Sequence, residues 1–343
     1  TSVKDENGYK LNIVNSNFTI ERRVPKMDYV TESGNRIWGC RYGENNTDGK
    51  FVNEIYASKL GDPKNWNSFA GISTDSYVMS LGSDGKFTGA ANHNGYPVFF
   101  KEDRIMKIMG TYPSNYQLQE IITEGVQDGS SRSIATISGT LFYKSDKEIR
   151  AYDGGYSASV SAPLGNERYH SARAGVLGNK YYISMSDSKN NWHMFCFDSE
   201  KGLWHKEDDT EALFFCSYKS DLYYIDKDNN LKTVMASVGE KEGNFDWNVV
   251  SGIIGYARPN NLYISRLNIR AILPEGSKMS IYIKYDSIGD WEHKGTVKGR
   301  TLRSFNIPII PRRCDHFRYK IEGDGEARIL SISKTLEMGS DVV

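Results

Sequence analysis

The sequence predicts an all-β protein, a β-propeller followed by a β-sandwich, on three observations. A strand-rich unit of about forty residues repeats through the first two thirds of the chain. The last eighty or so residues drop that repeat and alternate apolar and polar positions instead. Aromatic content is 12%, with 22 Tyr and 32 Gly among 343 residues, which suits pleated strands joined by tight turns.

The repeat is anchored on short aromatic-aliphatic segments that follow a Gly, Asn or Ser turn. They are Asn35–Cys40, Tyr96–Phe100, Thr140–Tyr143, Lys180–Ile183 and Asp221–Ile225. With Val98, Leu141, Tyr181 and Leu222 equivalent, the steps are 43, 40 and 41 residues. The first copy, at Ile37, lies 61 residues before Val98; the polar insertion Gly43–Gly49 and a longer link through Ser73 to Gly85 account for the excess. A strand is expected before each anchor (Met27–Glu32, Phe87–Asn92, Ser133–Ser138, Ser171–Leu177, Ala212–Tyr218). Another is expected after each (Glu54–Leu60, Arg104–Gly110, Glu148–Asp153, His193–Asp198, Asn230–Ala236), with weaker outer strands such as Tyr116–Ile121 and Ser157–Ala162. Four antiparallel strands in forty residues make one propeller blade, and stacking blades buries both apolar faces while leaving only short edges. Five blades are recognisable. Tyr9–Val24 and Phe245–Tyr263 read as strands that together would supply a sixth blade or a closing strand. The propeller is therefore expected over residues 1–262.

Residues 263–343 read as a β-sandwich of jelly-roll or immunoglobulin-like type. Leu267, Ile269, Ala271 and Leu273 share a face, as do Met279, Ile281, Ile283 and Tyr285, then Phe305, Ile307 and Ile309, then Phe317, Tyr319 and Ile321. Turns are expected at Pro274-Glu275-Gly276, Gly289-Asp290 and Gly323-Asp324-Gly325.

Composition narrows the function. Lys plus Arg and Asp plus Glu number 43 each, so the formal charge is zero, and nucleic acid is not expected as a partner. No run of eighteen apolar residues predicts a membrane span, and Thr1–Asn7 is too polar for a signal peptide. The first residue is Thr1 and not Met, which points to processing or to further sequence upstream. Cys40, Cys196, Cys216 and Cys314 lie far apart and are expected as buried free thiols of a reducing compartment.

Chemical signatures are sparse. The Ser-elbow, dinucleotide, P-loop and zinc-protease motifs are missing. The six histidines, His93, His170, His193, His205, His293 and His316, show no metal-ligand spacing, so neither metal nor cofactor is expected. Asp226, Asp228 and Asn230 open like a calcium loop, but Leu231 stands where Gly is needed and Ser237 where Glu is needed, so a polar hairpin is the better reading. Asn17-Phe18-Thr19 and Asn45-Asn46-Thr47 match the glycosylation sequon, a pattern common by chance. Glycoside hydrolysis needs two carboxylates facing across a sugar, and nothing among 43 acids picks out a pair. Ser83–Thr88 only brushes against the aspartate box of sialidases. Glycan binding is carried by Trp66, Trp192, Trp204 and Trp247, which fall in or beside predicted turns; the competing reading packs them between blades.

The run Ile307–Arg318, with Pro311-Arg312-Arg313-Cys314-Asp315 at its centre, resembles a signature of uncharacterised structural proteins of tailed bacteriophages and prophages. Glu322–Gly325, Ile332–Lys334, Gly339-Ser340, Tyr263–Leu267, Trp291 and Asn53–Ser58 with Asp62 and Trp66 extend the likeness along the chain. The resemblance implies a virion component of tail or neck, assembled in the host cytoplasm. It would be a rigid docking platform for other virion proteins, homo-oligomeric or in a ring, and not an enzyme. A receptor- or glycan-binding phage protein is the alternative, with hydrolase behind it. From the residues alone, Pro308 and Pro311 suit a strand entrance, and Arg313 and Asp315 share a face, so the signature reads as fold-fixing.

Overall fold

The computed structural model describes residues 2–4, 10–14, 17–21, 24–44, 49–234, 243–255 and 262–338. Asn45-Asn46-Thr47, the end of the expected strand Asn230–Ala236, and Gly339-Ser340 lie outside them. The chain divides into two compact units, Thr1–Ser237 and Val238–Val343. The boundary thus falls before the expected 262/263.

The first unit is a β-propeller. Its opening strands β1 (Ser2–Lys4), β2 (Lys10–Val14) and β3 (Asn17–Glu21) form a separate antiparallel sheet. Blade 1 follows with β4 (Tyr29–Ser33), β5 (Arg36–Glu44), β6 (Phe51–Ala57) and β7 (Tyr77–Ser80). Blade 2 has β8 (Gly89–His93), β9 (Tyr96–Lys101), β10 (Arg104–Met109) and β11 (Gln117–Ile122). Blade 3 has β12 (Ala135–Ile137), β13 (Thr140–Lys144), β14 (Ile149–Tyr152) and β15 (Ala158–Ser159). Blade 4 has β16 (His170–Leu177), β17 (Lys180–Ser186), β18 (Trp192–Asp198) and β19 (Leu203–Asp208). Among the described residues, blade 5 has three strands, β20 (Ala212–Tyr218), β21 (Asp221–Asp226) and β22 (Leu231–Val234). Every blade is an antiparallel meander. Its first turn is a tight hairpin: both central residues take positive φ in blades 1 to 3, as Asn94-Gly95 and Ser138-Gly139 do, and the first alone does in blades 4 and 5, at Gly178 and Lys219, which matches the twist of the flanking strands.

Two-sided burial marks the second strand of the middle blades. Val98, Phe99, Phe100 and Lys101 are all buried, as are Leu141 to Lys144 and Tyr181 to Ser186, whichever way each side chain points. Trp38 and Ile55 of blade 1 meet Phe99 and Met106 of blade 2. Val98 and Ile105 meet Leu141 and Tyr152 of blade 3, and Phe142 and Ile149 meet Tyr181 and Phe195 of blade 4. Tyr182 and Cys196 meet Leu222 of blade 5. Each fully buried large side chain contributes roughly 1.5–3 kcal/mol. Blade 5 departs from the pattern: β21 alternates buried and partly exposed, and Phe214, Cys216, Tyr218 and Leu231 lie exposed. Cys216 is accordingly an exposed free thiol, whereas Cys40, Cys196 and Cys314 are buried as expected.

The expected sixth blade does not assemble from the two flanking segments. Asp246–Val250 (β23) and Ile254–Gly255 (β24) pair in the second unit with β27 (His316–Asp324). There, β25 (Leu262–Tyr285) pairs with β26 (Glu292–Pro308) along one edge. Its other edge pairs with β28 (Arg328–Met338) and then with β27. Pro274-Glu275-Gly276 is a bulged bend inside β25, not a turn between strands, because pairing to β26 resumes beyond it. The sandwich is therefore one six-stranded sheet folded on itself, rather than two separate sheets of jelly-roll or immunoglobulin type. Leu267, Ile269 and Leu273 from before the bend share a core with Met279, Ile281 and Phe317. Among the described residues no helix is long and apolar enough to cross a membrane.

Blade stacking sets two expectations. A Cβ on Gly175 would lie 2.7 Å from both Leu222 Cδ1 and Phe215 Cβ, so blade 4 approaches blade 5 where only glycine fits. Gly175→Ala is expected to cost about 1–3 kcal/mol by overpacking, read as a lower urea midpoint at unchanged slope. Lys144 is buried, its ammonium donating to the carbonyls of Ser145 and Asp146, and burial pushes its pKa down to about 8. The unfolded chain holds that proton up to the ordinary lysine value of about 10.4. Stability should therefore rise with pH between about 8 and about 10, and Lys144→Met should remove that rise in unfolding titrations.

Candidate functional site

A groove of about 670 Å³ lies where the end of blade 4 meets blade 5. Three pieces build it: the β17–β18 hairpin with Trp192 and His193, the β19–β20 link Asp208–Glu211, and the β21–β22 hairpin from Asp226 to Lys232.

The two hairpins are copies of one device. Asp187-Ser188-Lys189-Asn190-Asn191 and Asp226-Lys227-Asp228-Asn229-Asn230 stand 39 residues apart. Asp187 Oδ1 accepts the backbone N–H of Lys189 and of Asn191, each at 2.8 Å. Asp226 Oδ1 accepts those of Asp228 and Asn230, each at 2.9 Å. Asn190 and Asn229 both take left-handed backbone, at φ 63° and 61°, which asparagine tolerates. The Asp226 carboxylate is thus committed to its own turn, with Lys232 Nζ at 3.0 Å, and the hairpin reading of this segment stands over the calcium loop.

Asp226 and Asp209 of the groove, and Asp187 in the turn of the first hairpin, are held ionised. The Asn230 N–H, with Lys232 and against burial, brings Asp226 down to about 2. Burial works to raise Asp187, but hydrogen bonds from Asn191, His193 and Lys189 outweigh it and hold it well below the usual range. Lys206, and secondarily His193, lower Asp209 against burial. His193 sits between Asp187 Oδ2 at 3.2 Å and Asp209 Oδ1 at 3.1 Å, which fixes its ring at the groove wall. Asp208 accepts both the N–H and the hydroxyl of Thr210, each at 2.8 Å. Trp192 supplies the aromatic surface, with the Arg173 guanidinium 5.2 Å from its ring centre.

Of the four tryptophans weighed as glycan platforms against packing between blades, Trp192 alone lines this groove. Trp66 is buried, and its indole donates to Pro63 O at 3.0 Å. Trp204 stacks on Phe197, with centroids 4.8 Å apart, and donates to Val160 O of blade 3 at 2.7 Å, so it packs between blades. Trp247 donates to Gly325 O and lies over Gly323, where a Cβ would be 2.1 Å from its ring. These three are structural.

The Pro311–Asp315 signature belongs to the second unit, whereas the groove belongs to the first. Cys314 is buried, which raises its thiol pKa to about 11. Asp286 accepts the N–H of Asp315 at 2.8 Å and of His316 at 3.1 Å, pinning the entrance to β27. Arg312 pairs with Glu292 at 3.1 Å and lies over Tyr285, while Pro311 and Arg313 are exposed. A second groove, of about 570 Å³ between the β6–β7 connection of blade 1 and the β10–β11 connection of blade 2, is lined by Phe69, Ile72, Tyr77 and Tyr112. Its one carboxylate, Asp75, is occupied by Gly71, Ile72 and Ser68.

No family model matches the sequence, and no curated protein does. Among solved structures, the chain is similar to an exo-β-1,3-galactanase from Phanerochaete chrysosporium with galactose. Identity is 11%, with 89% of this chain and 95% of that one covered, at a TM-score of 0.32. It is also similar to a glycoside hydrolase family 43 arabinoxylan arabinofuranohydrolase from Bacillus subtilis in complex with cellotetraose, at 10% identity, 88% and 94% coverage and a TM-score of 0.27. Hsv2 of Kluyveromyces lactis is similar at 12% identity, 68% and 71% coverage and a TM-score of 0.39. At such identities and scores the likeness assigns no role to any residue here. The expectation that the chain is not an enzyme is nonetheless withdrawn, because glycoside hydrolases recur among these structures. Its basis was weak for a physical reason: a glycosidase needs two carboxylates facing across a sugar, at no fixed sequence spacing, so missing motifs exclude nothing.

The committed Asp226 carboxylate carries a pH expectation. Its folded pKa is depressed, so its stabilisation is complete above the ordinary carboxylate range near about 4 and is lost as pH falls towards about 2. Asp226→Asn should lower the urea midpoint at neutral pH, and the gap to the native chain should close as the pH is taken down through that window.

Proposed function

We propose that this chain is a carbohydrate-recognising β-propeller protein and that the Trp192 groove is its sugar site. The observation that carries the reading is the combination of one aromatic ring, Trp192, with a row of carboxylates along the same groove, Asp208, Asp209, Glu211 and Asp228. A sugar offers an apolar C–H face, suited to an indole, and a fringe of hydroxyl donors, suited to carboxylates that can only accept. The turns closed by Asp187 and Asp226 hold the two hairpins rigid, which gives the groove the fixed geometry that recognition of vicinal hydroxyls requires. The same acidic walls disfavour anions, so the ligand class is a neutral or amino sugar, not a phosphorylated or sialylated one.

The resemblance to tailed-phage virion proteins supplies a setting: recognition of a glycan at the bacterial surface by a particle component. The rigid-platform reading rests on that resemblance alone, and no feature of the groove adds to it. Glycan recognition is the reading we favour.

A glycan array probed with the full chain is expected to give saturable binding to neutral glycans, lost in Trp192→Ala and kept in Trp247→Ala. Binding untouched by Trp192→Ala, or confined to sialylated or phosphorylated glycans, would overturn the assignment. Release of reducing ends from a bound glycan would extend the reading to hydrolysis in the same groove.

A further inference from the structure

Blade 4 carries a second cluster of ligating side chains, on its outer strands and outside the groove. Cys196 of β18 and His205 of β19 are direct cross-strand partners, and Glu207 follows two residues along, on the same face as His205. One ligand atom from each of the three lies within 4.8 Å of the other two. His205 Nε2 is 2.7 Å from Glu207 Oε1, and the ring is also hydrogen-bonded to Cys196. On the far side of the thiol, Tyr182, the cross-strand partner of Cys196 on β17, is hydrogen-bonded to it.

We propose that Cys196, His205 and Glu207 form a binding site for a zinc-class divalent cation. The donor set is one sulfur, one imidazole nitrogen and one carboxylate oxygen, the mixture that borderline ions such as Zn²⁺ select over hard Ca²⁺ or Mg²⁺. Bonds of about 2.0–2.3 Å in tetrahedral geometry put ligand atoms roughly 3.5 Å apart, so the cluster needs only side-chain adjustment to close on an ion. Charge balances as well. Binding expels the thiol proton and the imidazole proton that His205 directs at its ligating partners, and a thiolate plus a carboxylate neutralise the dication beside the apolar contact with Leu222. The ion enters from the solvent side, because β19 is the edge strand of its blade and the His205 and Glu207 side chains are 49% and 36% exposed. Tyr182 then stands as the outer-shell partner of the sulfur. Three protein ligands leave the fourth position to water.

Cobalt substitution tests this. The full chain, freed of metal with a chelator, is titrated with Co²⁺ and followed by absorbance. One equivalent should produce tetrahedral d–d bands and a sulfur-to-cobalt charge-transfer band, and Zn²⁺ should displace both. His205→Ala, on the exposed edge strand and so tolerated by the fold, should weaken binding by more than about tenfold. Cys196→Ser should abolish the charge-transfer band, and Cys216→Ser, which removes the exposed thiol, should leave it intact. A charge-transfer band absent from the native chain, or surviving in both His205→Ala and Cys196→Ser, overturns the site.

Discussion

A blade whose middle strand is apolar on both sides cannot exist alone in water, and the propeller follows from that constraint. Phe99 and Phe100 point to opposite faces of β9, yet both are fully buried, one against blade 1 and the other against blade 3. Each blade is therefore the solvent shield of its neighbours. Only the hairpin ends and outer edges are left to water, so polar chemistry collects there. The groove lies at such an end, between blades 4 and 5, and the thiol-imidazole-carboxylate cluster lies at an outer edge.

Much of the fold was legible because that constraint leaves a short-range trace. Consecutive apolar residues bounded by Asn-Gly or Ser-Gly turns, as in Asn94-Gly95 to Phe100, read as two-sided strands wherever they occur. The forty-residue step then gives the order of the blades. Legibility failed where pairing is decided by distant partners. Asp246–Val250 has no local property separating a propeller strand from a sandwich strand; its pairing with Asp324–Lys320, more than seventy residues on, decides. Pro274-Glu275-Gly276 has the composition of a turn, but β26 pairs on both sides of it and makes it a bend.

The candidate site was legible only in part, for a related reason. Trp192 could be marked from sequence as turn-adjacent, and so could Trp204, which has the same local signature. What separates them is that Trp204 finds Phe197 and the carbonyl of Val160 across the blade gap. The Asp226 segment was noticed as a motif, while its copy at Asp187 was missed. Aligning the two at the blade period would have exposed the repeated Asp-x-x-Asn-Asn. Cys196 and His205 show no metal spacing because eight residues of hairpin separate them in sequence. Antiparallel register makes them partners, and register is fixed by the apolar pattern of the whole blade. Lys101 and Lys144, buried at equivalent places 43 residues apart, were equally invisible: a lysine at a strand end reads as solvated until a neighbouring loop supplies carbonyls for it.

A protein with equal numbers of acids and bases can still gather carboxylates in one groove, and the blade repeat explains how. Each Asp-x-x-Asn-Asn hairpin needs an ionised aspartate to accept the N–H groups that its left-handed asparagine leaves turned inward. Stacking brings two such hairpins to neighbouring positions at one end of blades 4 and 5, so a charge demanded by local turn geometry is duplicated by the period. The link Asp208–Glu211 adds Asp208, Asp209 and Glu211, and the second hairpin adds Asp228, while Lys206 pairs with Asp209, Lys232 pairs with Asp226, and Lys227 also lines the groove. Accumulated acceptors of this kind favour a ligand rich in hydroxyl donors. That preference arises from the same stacking that buries Phe99 and Phe100, so the character of the groove is a consequence of the fold and not an addition to it.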